Sequence, residues 1–582
     1  MTAILGLNAF HADSAACLLI DGKLAGAVAE ERLGPREKHS SAFPAHAIRW
    51  LLEDNGLGLK DITHVAIPRD TSANRHSKIA HVLKHPLTGI PSALEHFARA
   101  RQTRSLIAEL AMICGTDPAD ARFETVPVEH HLAHIASSYY CSPFDSLTAG
   151  FSYDASGDFA SAMAAACEGT RIRIMDRVLL PDSLGFFYTA ICQFIGFDAF
   201  GEEYKVMGLA PYGEDSFHEE MEKLLHLPEN GWYRLAPGYF GMHGGGQSGA
   251  VDKSSRLVMD QLYTRRMTRL FGPPAQRGEL TRREKDLARS TQVRFEEAAL
   301  HFLERLHRKV PSSQLVMAGG CALNGVANAR ILRETAFSTP YLQAAASDDG
   351  TCLGAALWVW HNTLGRTERF HMKHAFWGPE YSDQDHRKAI EKTHLDITEC
   401  ASEDELVNTT ADLIAAGHVT GWYQGRSEWG PRALGNRSIL ANPCLPDMKA
   451  TINAKIKRRE SFRPFAPSVL KEDTGTYFCQ QVNSPFMMHV VRVRPEWQEK
   501  IPSVTHVDGT GRLQTVDAES NPRYYRLISA LKKRTGVGMV LNTSFNENEP
   551  IVDRPEQAVA CFMRTDMDSL VIGRYIVRKP RS

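Results

Sequence analysis

The chain opens on a β pattern. Ala3–Asn8 (AILGLN) is a short apolar run ending in a polar residue, Ala15–Ile20 (AACLLI) follows, and Asp21-Gly22 reads as a hairpin turn into Leu24–Ala29 (LAGAVA). A second β patch, Leu147–Tyr153, leads into the turn Asp154-Ala-Ser-Gly-Asp158 and resumes over Ala160–Ala166. Between the patches, apolar residues at helical spacing predict helices over Phe43–Asn55 and Leu94–Cys114. Leu287, Val293, Ala298, Leu303 and Leu306 predict a long helix over Glu284–Lys309; a strand, Ser313–Ala318, then runs through a Gly-Gly turn into a helix, Gly325–Arg330. The texture changes around Asn362–Tyr381, rich in charge, His and Gly, and predicts two unequal lobes, 1–370 and 371–582. The second opens with a helix (Asp404–Ala416) and a strand (His418–Tyr423), followed by a stretch dense in Arg and Lys. No solenoid repeat and no low-complexity tract is visible.

Composition narrows the class without naming it. The 582 residues carry 67 Lys+Arg against 68 Asp+Glu, with 43% hydrophobic and 23% charged residues. That balance argues against a protein that grips nucleic acid by neutralising phosphates. No apolar stretch approaches the ~18 residues of a membrane span, and the opening residues have no basic n-region, so secretion is not expected. The 11 cysteines are scattered, with no CxxC pair, which fits reduced thiols in a cytoplasmic enzyme.

Three groups of residues carry chemistry. In Glu129-His-His-Leu-Ala-His134, the imidazoles of His130 and His134 share a helix face and can bind one metal; the plainer reading is a hydrogen-bonded pair near a helix start. His131 stands where the zincin motif needs Glu, which disfavours a metalloprotease. Asp154 and Asp348 are candidates to complete the shell. Small residues at three turns (after Asn8, at Asp154–Asp158 and at Ala318–Asn324) suit close approach to a phosphate or nucleoside, as in a split ATPase of the actin/sugar-kinase type, and no P-loop motif is present. Between 426 and 463 stand Arg426, Arg432, Arg437, Lys449, Lys455, Lys457, Arg458, Arg459 and Arg463, against the acids Glu428, Asp447 and Glu460. Their Gly- and Pro-rich setting predicts a compact anion pocket, to which Arg512 and the donors of Asn542–Asn546 add. His11, on the loop after the first strand, suits a general base; a loop histidine that orders Asp13 is the alternative.

These motifs together resemble one family. Glu30-Glu-Arg32, Arg36-Glu-Lys-His39, the His130–His134 segment, Glu203–Gly213 (EYKVMGLAPYG), Gly319–Asn324, Ser347–Gly350, Arg426–Arg437, Phe462–Pro467 and Asn542–Asn546 are similar to those of the O-carbamoyltransferases related to nodulation protein U, cephamycin carbamoyltransferase and the tobramycin-carbamoylating enzyme. The resemblance covers nearly the whole chain, in order. It implies an α/β architecture: an actin/sugar-kinase-like (ASKHA) first lobe joined to a smaller lobe of the threonylcarbamoyl-AMP synthase type.

It further implies that carbamoyl phosphate and ATP, with Mg2+, give carbamoyl adenylate in the small lobe. A hydroxyl of an antibiotic-like natural product then takes the carbamoyl group in the large one. By position, a divalent metal, iron by the resemblance, would be held by His130, His134, Asp154 and Asp348, with Asp349 an alternative to Asp348. Lys38, Lys457, Arg463 and Arg512 would bind carbamoyl phosphate, and His11, Arg432 and Lys457 would serve catalysis. Gly157, Gly319, Gly320, Asn324, Arg432, Arg463, Asn542, Ser544 and Asn546 would contact nucleotide. A tRNA threonylcarbamoyladenosine-type enzyme is the alternative. No nucleic-acid or membrane partner is expected, and a homodimer is one oligomeric state left open. The acceptor pocket is assigned to Thr71–Gln102 and Leu235–Gly272, the latter as a lid.

Overall fold

The first apolar run becomes the central strand of a sheet. Strand β1 (Ala3–Asn8) is buried over its whole length; it pairs antiparallel with β2 (Ala15–Ile20) and parallel with β4 (His64–Ile67). β2 pairs antiparallel with β3 (Lys23–Ala29) and β4 parallel with β5 (Glu124–Pro127), giving the order β3-β2-β1-β4-β5. This computed structural model describes residues 1–9, 11–84, 106–241, 249–251 and 257–580, in two units divided between Met372 and Lys373.

The second apolar patch builds the same sheet again. β6 (Thr148–Gly157) pairs antiparallel with β7 (Ala160–Glu168), which pairs antiparallel with β8 (Arg171–Leu179). On its other side β6 runs parallel to β9 (Gln314–Ala318), and β9 parallel to β10 (Thr339–Tyr341), giving β8-β7-β6-β9-β10. Strand for strand and direction for direction, the first unit is one topology twice. This doubled sheet is the arrangement expected of an actin/sugar-kinase-like lobe.

The two halves exchange helices. Helix α1 (His130–Cys141) follows β5 but packs on β6, β7 and β9 of the other half, whereas α2 (Thr351–Trp358) follows β10 and packs on β1, β2 and β4. They cross at backbone contact. A Cβ on Gly354 would stand 1.8 Å from the Ala133 carbonyl oxygen, and one on Gly6 would stand 2.1 Å from that of Cys352. Every residue of α1 is buried, which accounts for its apolar and small residues on all sides.

The expected helices form at Ala45–Asp54, Arg282–Lys309 and Gly325–Glu334. The second is started by a capping box between Thr281 and Glu284, and the third is capped by Asn324. Leu106–Cys114 is helical, while 94–105 of the expected Leu94–Cys114 helix lies outside the described residues. The expected lid contains a short hairpin (Gly249–Val251 with Leu257–Met259) and a helix, Arg265–Phe271; its residues 242–248 and 252–256 lie outside the described residues. The turn expected over Asp154–Asp158 is shorter than that. β6 continues to Gly157, paired with Ala160, and the chain reverses at Asp158 and Phe159 with φ of 49° and 73°.

The second unit holds a nine-stranded mixed sheet. Its order is Asp396–Glu399, Tyr575–Arg578, Ser569–Ile572, Thr420–Tyr423, Arg437–Ala441, Met539–Ser544, Ala466–Leu470, Thr510–Val516 and His489–Arg492. Helices Glu403–Ala415 and Pro522–Thr535 pack on each other over an apolar core that includes Trp422, Leu440, Leu470, Leu527 and Val571. Among the described residues no helix is long and apolar enough to cross a membrane.

Candidate functional site

The exchange of helices brings chemistry from both halves to one point in the first unit. α1 supplies His130 and His134, the end of β6 supplies Asp154, and the turn before α2 supplies Asp348; their donor atoms all lie within 4.8 Å of one another. His130 Nε2 and His134 Nε2 are 3.1 Å apart, and Asp348 Oδ1 is 3.4 and 3.3 Å from them. Asp154 Oδ2 is 3.3 Å from His134 Nε2. Donors about 2.1 Å from a divalent ion stand about 3.0–3.4 Å apart at octahedral to tetrahedral angles, so the spacing fits one. Asp348 Oδ1 is buried without a well-formed hydrogen bond, as a ligand waiting on a cation would be.

Electrostatics separates the two neighbouring aspartates. Burial alone would raise the Asp348 pKa, but His11, His130 and His134 hold it well below the carboxylate range. Asp349 is pushed well above that range by burial and then by Asp13, Glu31 and Asp348; it stays outside the donor group and accepts from the Gly350 N–H at 3.0 Å. Burial lowers His134, but Asp154 and Asp348 outweigh it and raise its pKa to about 9, a measure of the negative charge crowded around that ring.

The surrounding frame is built from neighbours the sequence motifs contain. α1 gets no cap from its own Glu129 side chain; Asp158 Oδ2 accepts from the His130 N–H at 2.9 Å and from the Asp70 N–H at 2.9 Å. Glu129 is gripped by Arg177, Nε to Oε1 at 2.8 Å and Nη2 to Oε2 at 2.7 Å. His131 is not a donor to the group: its Nε2 donates to the Ala160 carbonyl at 3.1 Å while Ser152 Oγ donates to Nδ1 at 2.9 Å, and burial keeps it neutral.

His11 Nδ1 lies 2.6 Å from Asp348 Oδ2. That ion-pair contact stands at the edge of an open cleft lined by Asn8, His11, Arg69, His130, Gly157 and Asp158. The cleft is thus bordered by Ile67–Arg69, just before the Thr71–Gln102 segment assigned to the acceptor, of which 85–102 lies outside the described residues.

The residues expected at nucleotide make the following contacts within the protein. Gly157 makes room for a ligand: a Cβ there would lie 2.0 Å from His130 Cδ2. Gly319 takes φ +101° against the Tyr153 carbonyl and donates its N–H to Ala346 O at 2.7 Å; the Gly320 N–H donates to Asp154 Oδ2 at 2.7 Å. Asn324 Oδ1 accepts from Ala327 N and Gln292 Nε2, and its Nδ2 donates to Gln292 Oε1. In the second unit, Asn542 Nδ2 donates to Ala433 O, Ser468 Oγ and Gln514 Oε1, each at 3.0 Å. Lys457 Nζ is buried among Ser544 O, Asn546 O and Asn546 Oδ1 at 2.6, 2.8 and 2.7 Å, so the lysine expected at carbamoyl phosphate ties down the Ser544–Asn546 strand end. Lys38 is exposed on the turn before His39.

The second unit gathers several of the expected cations around Arg512. Burial and the nearby Arg432, Arg459 and Arg463 drive the Arg512 guanidinium well below its usual range, so three positive side chains press on its charge. His506 beside them is lowered to about 4, by burial first and then by Arg512 and Lys449, against the opposing pull of Asp508. Arg459 and His506 were not assigned from sequence; Arg459 stood in the cation run, and His506 gave no signal. The loop carrying Arg432 is shaped by Glu428, whose buried Oε1 accepts from the N–H groups of Leu434, Asn436 and Arg437 at 2.9, 2.9 and 3.0 Å.

Residues 3–357 match the family model "Carbamoyltransferase N-terminus" and 411–579 match "Carbamoyltransferase C-terminus". The chain is 36% identical to an uncharacterized protein of Synechocystis over 100% of this chain and 97% of that one. It is 37% identical to nodulation protein NolNO of Sinorhizobium fredii, over 98% and 80%. To 3'-hydroxymethylcephem-O-carbamoyltransferase of Streptomyces clavuligerus it is 33% identical, over 47% and 50%. Solved structures with some likeness include full-length HypF in its phosphate- and nucleotide-bound form (TM-score 0.30, 14% identity, 62% of this chain and 56% of that one) and the ROK hexokinase of Thermus thermophilus (0.26, 16%, 61% and 98%). At such scores the likeness carries no weight, and the fold rests on its own strand order.

Proposed function

The chain belongs to the carbamoyltransferase family and is a carbamoyltransferase, and from that premise we propose that it makes carbamoyl adenylate in its second unit and transfers the carbamoyl group to an acceptor hydroxyl in its first. The observation that carries the reading is the presence of two sites of opposite character. One is a crowd of arginines around Arg512; the other is a two-histidine, two-carboxylate group beside His11.

Carbamoyl phosphate and water give carbamate and orthophosphate; a carbamate oxygen attacks the α-phosphorus of Mg2+-ATP, forming the carbamoyl adenylate P–O bond and releasing pyrophosphate. The acceptor oxygen then attacks the carbamoyl carbon, the C–O bond to AMP breaks, and the hydroxyl proton passes to a base. Arg432, Arg459, Arg463 and Arg512 offset the repulsion between the two anionic reactants, and Lys457 and Glu428 hold the loops that frame them. The second unit is assigned to the threonylcarbamoyl-AMP synthase type on the same reading.

In the first unit, His130, His134, Asp154 and Asp348 hold a divalent metal, iron in our reading, which when bound supplies Lewis-acid polarisation of the transferring group. His11, braced by Asp348 through Nδ1, takes the acceptor proton on Nε2. The acceptor enters the cleft between His11 and Arg69 and is a hydroxyl-bearing natural product of the antibiotic type.

Pyrophosphate release and acceptor carbamoylation, measured separately with carbamoyl phosphate, ATP and a panel of hydroxylated acceptors, test this division. Arg463→Ala should lose both. His134→Ala should still release pyrophosphate but yield no carbamoylated product. Loss of pyrophosphate release in His134→Ala alone would overturn the assignment of the two steps to the two units.

A further inference from the structure

His39 and Glu203, from the motifs Arg36–His39 and Glu203–Gly213, have no part in the steps proposed above, yet the fold brings His39 to the turn that carries His11 and sets Glu203 near it. That turn is tightly specified. Asn8 Nδ2 donates to the Ala12 and Asp13 carbonyls at 2.9 and 3.0 Å, Asp13 takes a left-handed φ of 55°, and the Ser14 N–H donates to Ser40 O at 2.8 Å. His39 Nδ1 meets Asp13 Oδ1 at 2.7 Å, and the His39 N–H donates to Glu31 Oε2 at 3.0 Å. The other Asp13 oxygen lies 3.4 Å from the hydroxyl of Ser347, the residue before Asp348. Asp13 therefore links the His39 segment to the Asp348 turn, two residues from His11.

His39 sits in a made place. Its ring stands edge-on to Phe200 (5.4 Å, 87°), and a Cβ on Gly201 would lie 2.2 Å from Nε2, so the loop before Glu203 carries glycine where the imidazole needs the space. We propose that His39 is a positioning residue, which through Asp13 holds the His11 turn against Asp348 for the transfer step. The proposal rests on the reading of His11 as the base for the acceptor hydroxyl.

The charge state strengthens the hold. The carboxylates facing His39 come from three elements: Asp13 on the turn after β1, Glu31 on the short helix Glu30–Leu33, and Glu203 at the start of helix Glu203–Leu209. Burial lowers the His39 pKa, but these three outweigh it and raise it to about 9. The sign follows: the ion pair is intact below the ordinary 6.5, and it weakens as pH rises through about 9. Above that pH a neutral imidazole still donates to the Asp13 carboxylate, and the attraction between opposite charges is what is lost.

Acceptor transfer and pyrophosphate release are measured from pH 6 to 10 for wild type, His39→Ala and His39→Asn, the last keeping a donor to Asp13 without a titrating ring. Wild type should lose transfer kcat several-fold through pH 9. His39→Asn should be flat, at the level wild type reaches in alkali, and His39→Ala should fall about tenfold or more in kcat at constant acceptor KM, the scale of a misplaced catalytic group. Pyrophosphate release should not change in either. Wild-type transfer in His39→Ala, or an alkaline limb surviving in His39→Asn, overturns the proposal. A histidine side-chain NMR titration decides the pairing without any activity: the His39 resonance, assigned by its loss in His39→Asn, should titrate near 9 and move toward 6.5 in Asp13→Asn. Titration near 6.5 in wild type overturns the pairing even if the carbamoyl chemistry stands, and absence of pyrophosphate release in wild type counts against the chemistry alone.

Discussion

Gly157→Ala adds one methyl group beside the His130 ring. Gly157 has no positive φ, so alanine is compatible with its backbone and only the neighbour objects: the new Cβ would stand 2.0, 2.2 and 2.7 Å from His130 Cδ2, Cγ and Cβ. Carbon atoms pack at about 3.5 Å, so the ring must retreat by about 1.5 Å. The β6–β7 pairing of Gly157 with Ala160 keeps the backbone from giving way instead. Metal ligands tolerate about 0.2 Å, so His130 leaves the set, and affinity should fall about 100-fold, about 2.8 kcal/mol at 1.4 kcal/mol per tenfold. The crowding itself costs about 1–3 kcal/mol of stability. Competitive chelator titration with Fe2+, Zn2+ or Co2+ reads the first number and thermal unfolding the second. Gly58→Ala is the control, since its Cβ would meet only Asp61 Oδ2 at an ordinary 3.7 Å. A Gly157→Ala protein that binds metal as tightly as wild type would refute both the clash and the place of His130 among the ligands.

The neighbouring aspartates should part company: Asp348→Asn should abolish metal binding, while Asp349→Asn, replacing a carboxyl that burial and nearby acids push above the carboxylate range and that lies outside the donor group, should leave the chelator titration within a few-fold of wild type. Glu428→Ala strips the shared acceptor from three backbone N–H groups and should cost about 2–3 kcal/mol by urea unfolding, whereas Glu428→Gln, which keeps an oxygen there, should cost less. Arg512→Met removes a cation held against three others, so the protein should melt at a higher temperature without ligand, yet lose the stabilisation that phosphate or pyrophosphate gives wild type.

Much of the first unit's chemistry was legible because its signals are local. The four-residue spacing of His130 and His134 shows one helix face, and the family motifs carried Asp154 and Asp348 to the same point. The doubling of the sheet was not legible. The halves share strand order and direction but not residues, and the exchange of α1 and α2 exists only in packing. The packing role of Gly157 was hidden for a related reason. Gly157 reads as a phosphate-binding turn in sequence, yet the strand continues through it and its missing side chain makes room for an imidazole from another element. Asn324, Asn542 and Lys457, carried over from the family motifs, are buried and hydrogen-bonded to neighbouring protein groups, contacts that sequence spacing does not show. The arginine crowd was visible as a composition bias, but sequence alone did not show that strand Thr510–Val516 brings Arg512 within electrostatic reach of Arg432, Arg459 and Arg463.

The exchange of labelled pyrophosphate into ATP, with purified protein, no acceptor, and carbamoyl phosphate present or withheld, bears on the whole scheme at once. Wild type should exchange only when carbamoyl phosphate is supplied, and Arg463→Ala should not exchange at all. No exchange in a wild-type protein that still binds ATP and its metal, or exchange that ignores carbamoyl phosphate, would contradict an adenylate-forming second unit.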